Sequence, residues 1–342
     1  MSLESLNPAL RYGLAFSVPL VGTLALMPVA GRLARRFNVM DRPGGHKTHG
    51  EATPYLGGLA VALGLVAIAA VTGGADGKLL TVVACAAVLG FVGLVDDLRT
   101  VRPWIRLSYE AVAGLALWLV GIRAGVWDIP LLDAALTVAW VVAVTNAFNF
   151  IDNMDGVAGA VAAAAGLGIA VISGSNGDYL VASLALAVAG ASLGFLRYNF
   201  PPASIFLGDA GSLLLGFLVA ALVLQVDLPI GPGLPRVVAV VLMAGVPLFD
   251  LTLVVVARLR ERRPLAQGGA DHSTHRLSHE GRSRREVVFI AAAAQLASSG
   301  GAYALYRRST PVVVAAASVV TTGWILLVLW FLAHPGALAE SD

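Results

Sequence analysis

The chain has 342 residues, of which 58% are hydrophobic and only 13% are charged, whereas charged residues make up about 25% of a typical soluble domain. This composition, with a mean hydropathy of +0.81, indicates a membrane protein and excludes a single water-soluble core. The net charge of +2 says little by itself, and we expect no nucleic-acid partner. The single cysteine, Cys85, excludes an intrachain disulfide and a cysteine-based metal site.

Eleven apolar stretches, each bounded by charge, glycine or proline, predict membrane-spanning helices. They lie at residues 10–31, 55–73, 79–95, 107–125, 130–147, 156–174, 179–197, 208–226, 236–257, 286–306 and 311–333. Several are rich in glycine and alanine, which lets helix backbones approach closely in lipid. We therefore predict an all-α, polytopic integral membrane protein, with about 11 transmembrane helices in one bundle and a single transmembrane domain over residues 1–342.

The distribution of Lys and Arg predicts the orientation. An odd number of spans places the N-terminus and the C-terminus on opposite sides and sorts the connections into two alternating sets. One set, counted with its membrane edges, holds seventeen of the 23 basic residues. The other set holds the remaining six, which are Arg11, Lys78, Arg123, Arg236, Arg307 and Arg308. The positive-inside rule makes the first set cytoplasmic, with the N-terminus outside. All the polar clusters described below fall on that cytoplasmic side.

The first polar cluster, DRPGGHKTHGEATPYLGG at 41–58, follows the first predicted span. It supplies Asp41, His46, Lys47 and His49. Lys47 is a candidate contact for a diphosphate, and ordinary surface charge explains it equally well.

Asp96 and Asp97 come just after the third predicted span, in GLVDDLRTVRPWIR. The dipole at a helix C-terminus disfavours acidic residues, and two adjacent carboxylates also repel each other. A bound cation or a proton-transfer role would account for them. The alternative is a solvated loop balanced by Arg99 and Arg102.

The stretch NAFNFIDNMDG at 146–156 places Asn146, Asn149, Asp152 and Asp155 at three-residue intervals. On a helix or tight turn this spacing brings their oxygen atoms to one face, where they can meet one ligand. Capping of the sixth span by Asp152 or Asp155 is the simpler alternative, but one cap does not need four polar groups.

The eighth predicted span opens with Gly208-Asp209-Ala210-Gly211-Ser212, after Pro201-Pro202 has ended the seventh. Small residues at a helix N-terminus leave backbone N–H groups open to an anion, and Asp209 can hold a divalent metal bound to that anion. An ordinary helix cap is the alternative.

Asp250 lies inside the ninth predicted span with no evident partner, so it is a functional candidate by default. The cytoplasmic loop 258–285 that follows carries His272, His275 and His279 among arginines. The histidine spacing permits zinc, but the basic setting without cysteine suits phosphate better. Positive-inside retention explains the arginines but not the histidines.

Five stretches, in order between about residues 32 and 285, resemble the motifs of the polyprenyl-phosphate N-acetylhexosamine-1-phosphate transferases, a membrane family that includes the phospho-MurNAc-pentapeptide translocase. They are VDDL at 95–98, NAFNFIDNMDG at 146–156, YNFPPASIFLGDAGS at 198–212, PLFD at 247–250 and DHSTHRL at 271–277. Members of this family act in the bacterial inner (cytoplasmic) membrane, in the first membrane step of cell-envelope polysaccharide synthesis. The resemblance thus implies a transferase that works at the lipid bilayer, with a homodimer left open.

The resemblance implies a Mg²⁺-dependent phosphoglycosyltransferase, with Mn²⁺ as a substitute ion. Such an enzyme transfers N-acetylhexosamine 1-phosphate from a UDP-sugar to polyprenyl (undecaprenyl or decaprenyl) phosphate and releases UMP. By resemblance, Asp209 is the metal ligand, with Asp97 sharing the metal, and Asp96, Asp97 and Asp152 are catalytic, without settling which one accepts a proton. The implied substrate-binding residues are Lys47, Asn149, Asp155, Asn199, His272, His275 and Arg276.

Three positions depart from the family pattern. Thr274 stands where the histidine loop commonly has His, His46 where Arg is common, and Asn153 where Gly is common. The loop also lacks the His-His-His pattern expected of the MurNAc-pentapeptide branch. UDP-GlcNAc or a close relative is therefore the favoured donor, and UDP-MurNAc-pentapeptide is the alternative.

A transporter or cation channel is the alternative from another class, because intramembrane acids also mark ion pathways. Against it, the acids cluster at one face of the membrane. The sequence also gives no sign of the broken helices that secondary transporters have near mid-membrane.

Overall fold

The computed structural model describes residues 7–41, 52–72, 77–127, 129–228, 233–265, 269–305, 308 and 310–334. These residues form thirteen helices and one two-stranded antiparallel sheet, which confirms the all-α prediction. The helices are α1 (Pro8–Arg36), α2 (Gly57–Thr72), α3 (Gly77–Leu98), α4 (Pro103–Leu119), α5 (Pro130–Ile151), α6 (Val157–Ser175), α7 (Tyr179–Asn199), α8 (Gly208–Gln225), α9 (Leu234–Met243), α10 (Gly245–Arg260), α11 (Ser273–His279), α12 (Arg284–Leu305) and α13 (Thr310–Ala333). The strands are β1 (Met40–Asp41) and β2 (Thr53–Pro54).

Within these described ranges, eight helices are long and apolar enough to cross a membrane, and a ninth span results if α9 and α10 count as one. The eight are α1, α3, α5, α6, α7, α8, α12 and α13. Helices α2 and α4 have 16 and 17 residues and are shorter than these. Each of the eleven predicted stretches nevertheless contains a helix, so the polytopic architecture is as predicted.

Local sequence sets several helix ends. Asn7 caps α1 by accepting a hydrogen bond from the Ala9 amide at 2.8 Å, and Asp178 caps α7 by accepting one from Val181 at 3.1 Å. The predicted span at 107–125 was too long at its end, because α4 stops at Leu119. The chain then turns through Gly121, whose φ of +82° is one that glycine adopts without strain.

The centre of the bundle is formed by α6, α7 and α8, which are the most buried of the long helices, while α13 is the least buried. Helix α8 packs against α3 and α5, and α7 packs against α1 and α6. Hydrogen bonds join the C-terminus of α3 to the N-terminus of α8, and the Gly156 amide just before α6 to Asn199 at the end of α7. The polar clusters predicted from the sequence therefore meet at one end of the bundle.

The prediction of one continuous span at 236–257 was wrong, as was the expectation that no broken helix is present. Helices α9 and α10 meet at an angle of 89° around Ala244. In lipid such a break requires partners for the freed backbone groups, and α12 provides them. Gln295 donates to the Met243 carbonyl at 3.0 Å and accepts from the Val246 amide at 3.0 Å, and Ser298 donates to the Leu242 carbonyl at 2.7 Å.

Replacing Gln295 with Leu should therefore destabilise the protein. Leucine has about the same size but leaves two buried backbone groups without partners, at a cost of about 1–3 kcal/mol each. We expect a lower thermal unfolding midpoint for the purified, detergent-solubilised protein. Gln225→Leu is the matched control, because Gln225 donates to the Ala221 carbonyl one turn earlier in its own helix. Equal shifts in the two variants would contradict the role assigned to Gln295.

Candidate active site

The site is built around the N-terminus of α8, which is docked onto the last turn of α3. The sequence suggests that Asp96 and Asp97 follow the helix, but both lie inside this last turn. Asp97 accepts hydrogen bonds from the backbone amides of Asp209, at 2.7 Å, and Ala210, at 3.0 Å. The expectation that these amides are open to an anionic ligand was wrong, because Asp97 already occupies them.

Glycines make this docking possible. A Cβ atom at Gly93 would lie 2.3 Å from the backbone oxygen of Asp209, so α3 and α8 approach closely only because Gly93 has no side chain. Gly208 has a φ of +73°, and a Cβ there would meet an Asp97 oxygen at 2.6 Å. The position of Asp209 is thus fixed by backbone contacts on both sides.

Arg106 connects the acids of α3 and α8. Its Nη1 donates to Asp96 at 2.8 Å and to Asp209 at 3.1 Å, and its Nη2 donates to Asn149 Oδ1 at 2.9 Å. Asn149 in turn donates to Asp209 Oδ1 at 2.5 Å. In the sequence, Arg106 is one of the basic residues at the membrane edge, and nothing there indicates this role except its position near VDDL, one turn into α4.

The oxygen atoms of Asp209 and Asn149 are of the kind that Mg²⁺ prefers. Within the described ranges, no three His, Cys, Asp or Glu side chains converge as a complete protein cage for a metal would require. Mg²⁺ is usually held by one or two carboxylates together with substrate phosphates, so the partial set at Asp209 and Asn149 fits this ion. Both oxygens of the other predicted ligand, Asp97, are engaged by the α8 amides.

The stretch 146–156 divides between a helix and a turn. Asn146 and Asn149 lie on the last turns of α5, Asp152 follows the helix end, and Asp155 lies in the turn before α6. Neither aspartate caps α6, whose N-cap is Gly156 in a left-handed conformation. Asp155 instead accepts from the Ala203 amide at 3.1 Å and lies 3.7 Å from Arg284.

Two cavities open at this end of the bundle and share Asp41 and Tyr55. One, of about 340 Å³, is lined by Asp152, Asp155, Asn199, Phe206, His275 and Arg284, among others. The other, of about 540 Å³, is lined by Asp96, Asp97, Asp209 and the chain that follows α1. The predicted aspartates therefore border one connected region rather than separate faces of the protein.

Burial favours the neutral forms of three side chains that line the smaller cavity. Burial raises the pKa of Asp152 well above its ordinary value, and the nearby Asp209 and Asp97 raise it further. Burial and the neighbouring Asp41 also raise the pKa of Tyr55. Burial lowers the pKa of His275 to about 4, helped by the neighbouring His272, so His275 is uncharged at neutral pH.

Asn199 fixes the connection between α7 and α8. It accepts from the Gly156 amide at 2.7 Å and donates to the Ile205 carbonyl at 2.9 Å. Phe206, one residue further, donates its amide to Pro54 of β2 at 2.8 Å. These bonds hold the walls of the smaller cavity together.

Asp250 has the partner that sequence analysis did not find. Its carboxylate is fully buried, lies 2.7 Å from His272 Nδ1, and accepts from both the amide and the hydroxyl of Ser273, at 2.7 and 2.6 Å. Asp250 thus anchors the start of α11 to α10. His272 is buried as well and does not line the smaller cavity, whereas His275 does.

Arg276 is also buried, and its placement does not bring it to the cavity wall. Its guanidinium donates to the backbone carbonyls of Asp271, at 2.9 Å, and of Phe331 near the end of α13. The Asp271 side chain pairs with Arg258 at 3.0 Å and with Arg263. These contacts therefore stabilise the conformation of the basic loop and attach it to α13.

The two departures at Asn153 and Thr274 contact each other. The Thr274 hydroxyl donates to Asn153 Oδ1 at 2.5 Å, and Asn153 donates to the Phe150 carbonyl at 2.7 Å. The changes thus form one contact between the end of α5 and α11. Lys47, with His46 and His49, lies outside the described residues, so its predicted role stays a prediction.

Known proteins are similar to this chain over most of its length. A family model described as "Glycosyl transferase family 4" matches residues 79–227. The probable undecaprenyl-phosphate N-acetylglucosaminyl 1-phosphate transferase of Bacillus subtilis (strain 168) is 32% identical over 291 residues, which are 82% of this chain and 81% of that protein.

Two further relatives have similar names. The decaprenyl-phosphate N-acetylglucosaminephosphotransferase of Mycobacterium tuberculosis (strain H37Rv) is 33% identical, covering 75% of this chain and 73% of that protein. The undecaprenyl-phosphate alpha-N-acetylglucosaminyl 1-phosphate transferase of Escherichia coli (strain K12) is 28% identical, covering 80% of this chain and 78% of that protein.

Replacing Asp250 with Asn should loosen α11. The amide keeps the volume but loses charge-assisted bonds worth about 1.5–3 kcal/mol each. We expect faster hydrogen–deuterium exchange of the α11 amides. Asp133→Asn is the matched control, because Asp133 is also a buried acid and accepts from the Gly125 amide at the opposite end of the bundle. Unchanged α11 exchange in Asp250→Asn would contradict the anchoring role.

His275 predicts a dependence of stability on pH. An unfolded histidine takes up a proton near pH 6.5, whereas folded His275 does so only near pH 4. The unfolded state thus binds more protons between these values, and the free energy of unfolding falls as the pH falls from 6.5 toward 4. We expect the loss in thermal midpoint between pH 7.5 and pH 5 to be smaller in His275→Gln than in the parent. The exposed His279→Gln is the control, and a parent-like loss in His275→Gln would contradict the assignment.

Proposed function

The chain belongs to the polyprenyl-phosphate N-acetylglucosamine-1-phosphate transferase family, and on this premise we propose that it transfers GlcNAc 1-phosphate from UDP-GlcNAc to a polyprenyl phosphate. In this reaction an oxygen of the acceptor phosphate attacks the phosphorus bonded to the sugar. The bond from that phosphorus to the bridging oxygen breaks, and UMP leaves with that oxygen. The product is a polyprenyl diphosphate sugar.

One observation carries the proposal: Asp96, Asp209, Asn149 and Arg106 form a single hydrogen-bonded group at one end of a membrane bundle. Phosphoryl transfer demands mainly positioning and neutralisation of charge, and this group offers carboxylate, amide and guanidinium atoms within a few ångströms. Its place at the membrane edge suits a reaction that joins a water-soluble donor to a lipid phosphate.

The smaller cavity suits the nucleotide sugar. Its volume of about 340 Å³ lies in the range of small-molecule sites, and its walls combine aromatic, amide, basic and acidic groups. We assign the base of the nucleotide to the edge-to-face pair Tyr55 and Phe206, whose ring centres are 6.0 Å apart. Arg284 and the neutral His275 then face the diphosphate and sugar as hydrogen-bond donors.

We propose Mg²⁺ as the cofactor, with Asp209 and Asn149 as its protein ligands. When bound, the ion would neutralise charge on the diphosphate. Arg106 adds a permanent positive charge close to the ion. Asp97 acts by holding the N-terminus of α8, and so Asp209, in place. Roles for Asp96 and Asp152 in proton transfer stay predictions.

We further propose that the site faces the cytoplasm of a bacterial inner membrane. The support is that the predicted connections with seventeen of the 23 basic residues are the ones that contain the polar clusters, together with the cytoplasmic origin of UDP-sugars. The donor preference follows from the relatives' names, which specify N-acetylglucosamine, and from the histidine loop. A homodimer remains a proposal to be tested by the mass of the detergent-solubilised protein.

Release of UMP tests this function. Purified protein with Mg²⁺ and polyprenyl phosphate is offered UDP-GlcNAc or UDP-MurNAc-pentapeptide in separate reactions. We expect UMP and lipid-linked sugar only with UDP-GlcNAc. Activity with UDP-MurNAc-pentapeptide alone would contradict the donor assignment. Flux of ions through liposomes without UMP release would contradict the enzymatic function and favour a channel or transporter.

In the same assay, Asp209→Asn should lower turnover by about 100-fold or more. The amide removes a charge that the metal requires, and a metal supplies several kcal/mol of stabilisation to the transition state. Asp227→Asn is the control, because Asp227 lies at the opposite end of the bundle, after α8. Near-parental turnover of folded Asp209→Asn would remove this residue from the mechanism.

A further inference from the structure

A buried acid next to the proposed site has no assigned role. Glu110 lies on α4 and is 0% exposed. Its Oε2 accepts from Asn146 Nδ2, but Oε1 is buried without a hydrogen-bond partner in the described part of the chain. An unpaired carboxylate oxygen inside a membrane bundle is costly, so its retention calls for a partner in another state of the protein.

Arg106 is the side chain placed to be that partner. It precedes Glu110 by four residues on α4, and residues at this spacing lie one above the other on a helix face. Arg106 instead bonds Asp96, Asp209 and Asn149 Oδ1. The atoms that hold it include those proposed to bind the divalent cation.

The acids around Arg106 outnumber it. Asp96 and Asp209 both accept from its guanidinium, and Glu110 lies near enough to interact with it electrostatically. A cation at Asp209 would leave the guanidinium available to Glu110.

We propose that Glu110 is a further positioning residue of the transfer reaction: it receives the Arg106 guanidinium when a divalent cation takes Asp209 and Asn149. This inference rests on the proposed function, and it gives Arg106 two sets of partners. Without the cation, Arg106 neutralises Asp209; with it, Arg106 pairs with Glu110 and remains beside the diphosphate. Glu110 thereby favours cation binding through Arg106, not by contact with the ion.

Binding of Mn²⁺ to the purified full-length protein, measured by electron paramagnetic resonance without any substrate, tests this proposal. Arg106→Met removes the competing guanidinium and should tighten Mn²⁺ binding at least about 5-fold, within the usual range for coupled sites. Glu110→Gln leaves Arg106 on Asp209 and should weaken Mn²⁺ binding by a similar factor. Glu280→Gln, an exposed acid after α11, is the control and should bind like the parent.

The double variant separates this mechanism from a simple charge effect. If Glu110 acts through Arg106, then Glu110→Gln should change Mn²⁺ affinity by less than about 2-fold in the Arg106→Met background. An equal loss in both backgrounds would overturn the proposal, as would unchanged or weaker Mn²⁺ binding by Arg106→Met alone. If Glu110→Gln does not yield a monodisperse protein, Glu110→Asp enters the same cycle, since its shorter carboxylate should give a smaller loss that also vanishes without Arg106.

Mn²⁺ binding and transfer activity are measured separately, so the two proposals can fail separately. A protein that releases UMP but shows no coupling between Arg106 and Glu110 retains the proposed function and loses the role of Glu110. A protein that shows the coupling but releases no UMP retains the cation site and loses the transferase assignment.

Discussion

The contact between the Asp97 carboxylate and the first amides of α8 is the constraint on which the site depends. A helix N-terminus has four backbone N–H groups without intrahelical partners, and in a membrane bundle each must find one. Asp97 satisfies two of them from α3, and the absence of side chains at Gly93 and Gly208 allows the close approach. Asp209, which follows Gly208, is thereby held in contact with Arg106 and Asn149. Asp97, which the sequence predicts to be catalytic, thus has a structural role at the site.

Much of the fold was predictable because the bilayer imposes simple rules on composition. Apolar length and flanking charge located a helix in each of the eleven stretches, and the alternation of their ends placed the polar clusters together. The break between α9 and α10 was not predictable, since its backbone partner Gln295 is about fifty residues away in α12. The ends of α4 and α5 were also misplaced, because the hydrophobic pattern fades gradually where a helix leaves the lipid.

At the site, sequence motifs identified which aspartates matter but not what they contact. Asp250 had no evident partner in the sequence, yet His272 and Ser273 lie beside it once the basic loop folds back onto α10. Arg106 was hidden among residues that the positive-inside rule already explained. Asn153 and Thr274 were two unrelated departures from a pattern until the structure placed them in contact. In each case the missing information was a contact between segments distant in the chain, which one sequence cannot supply.

The hydrogen bond from Arg276 to the Phe331 carbonyl ties the basic loop to the final turn of the last helix. Because this acceptor belongs to α13, Arg276 gains it only when α13 packs beside α10. The conformation of the segment that carries His275 therefore depends on the C-terminal end of α13 as well as on α10.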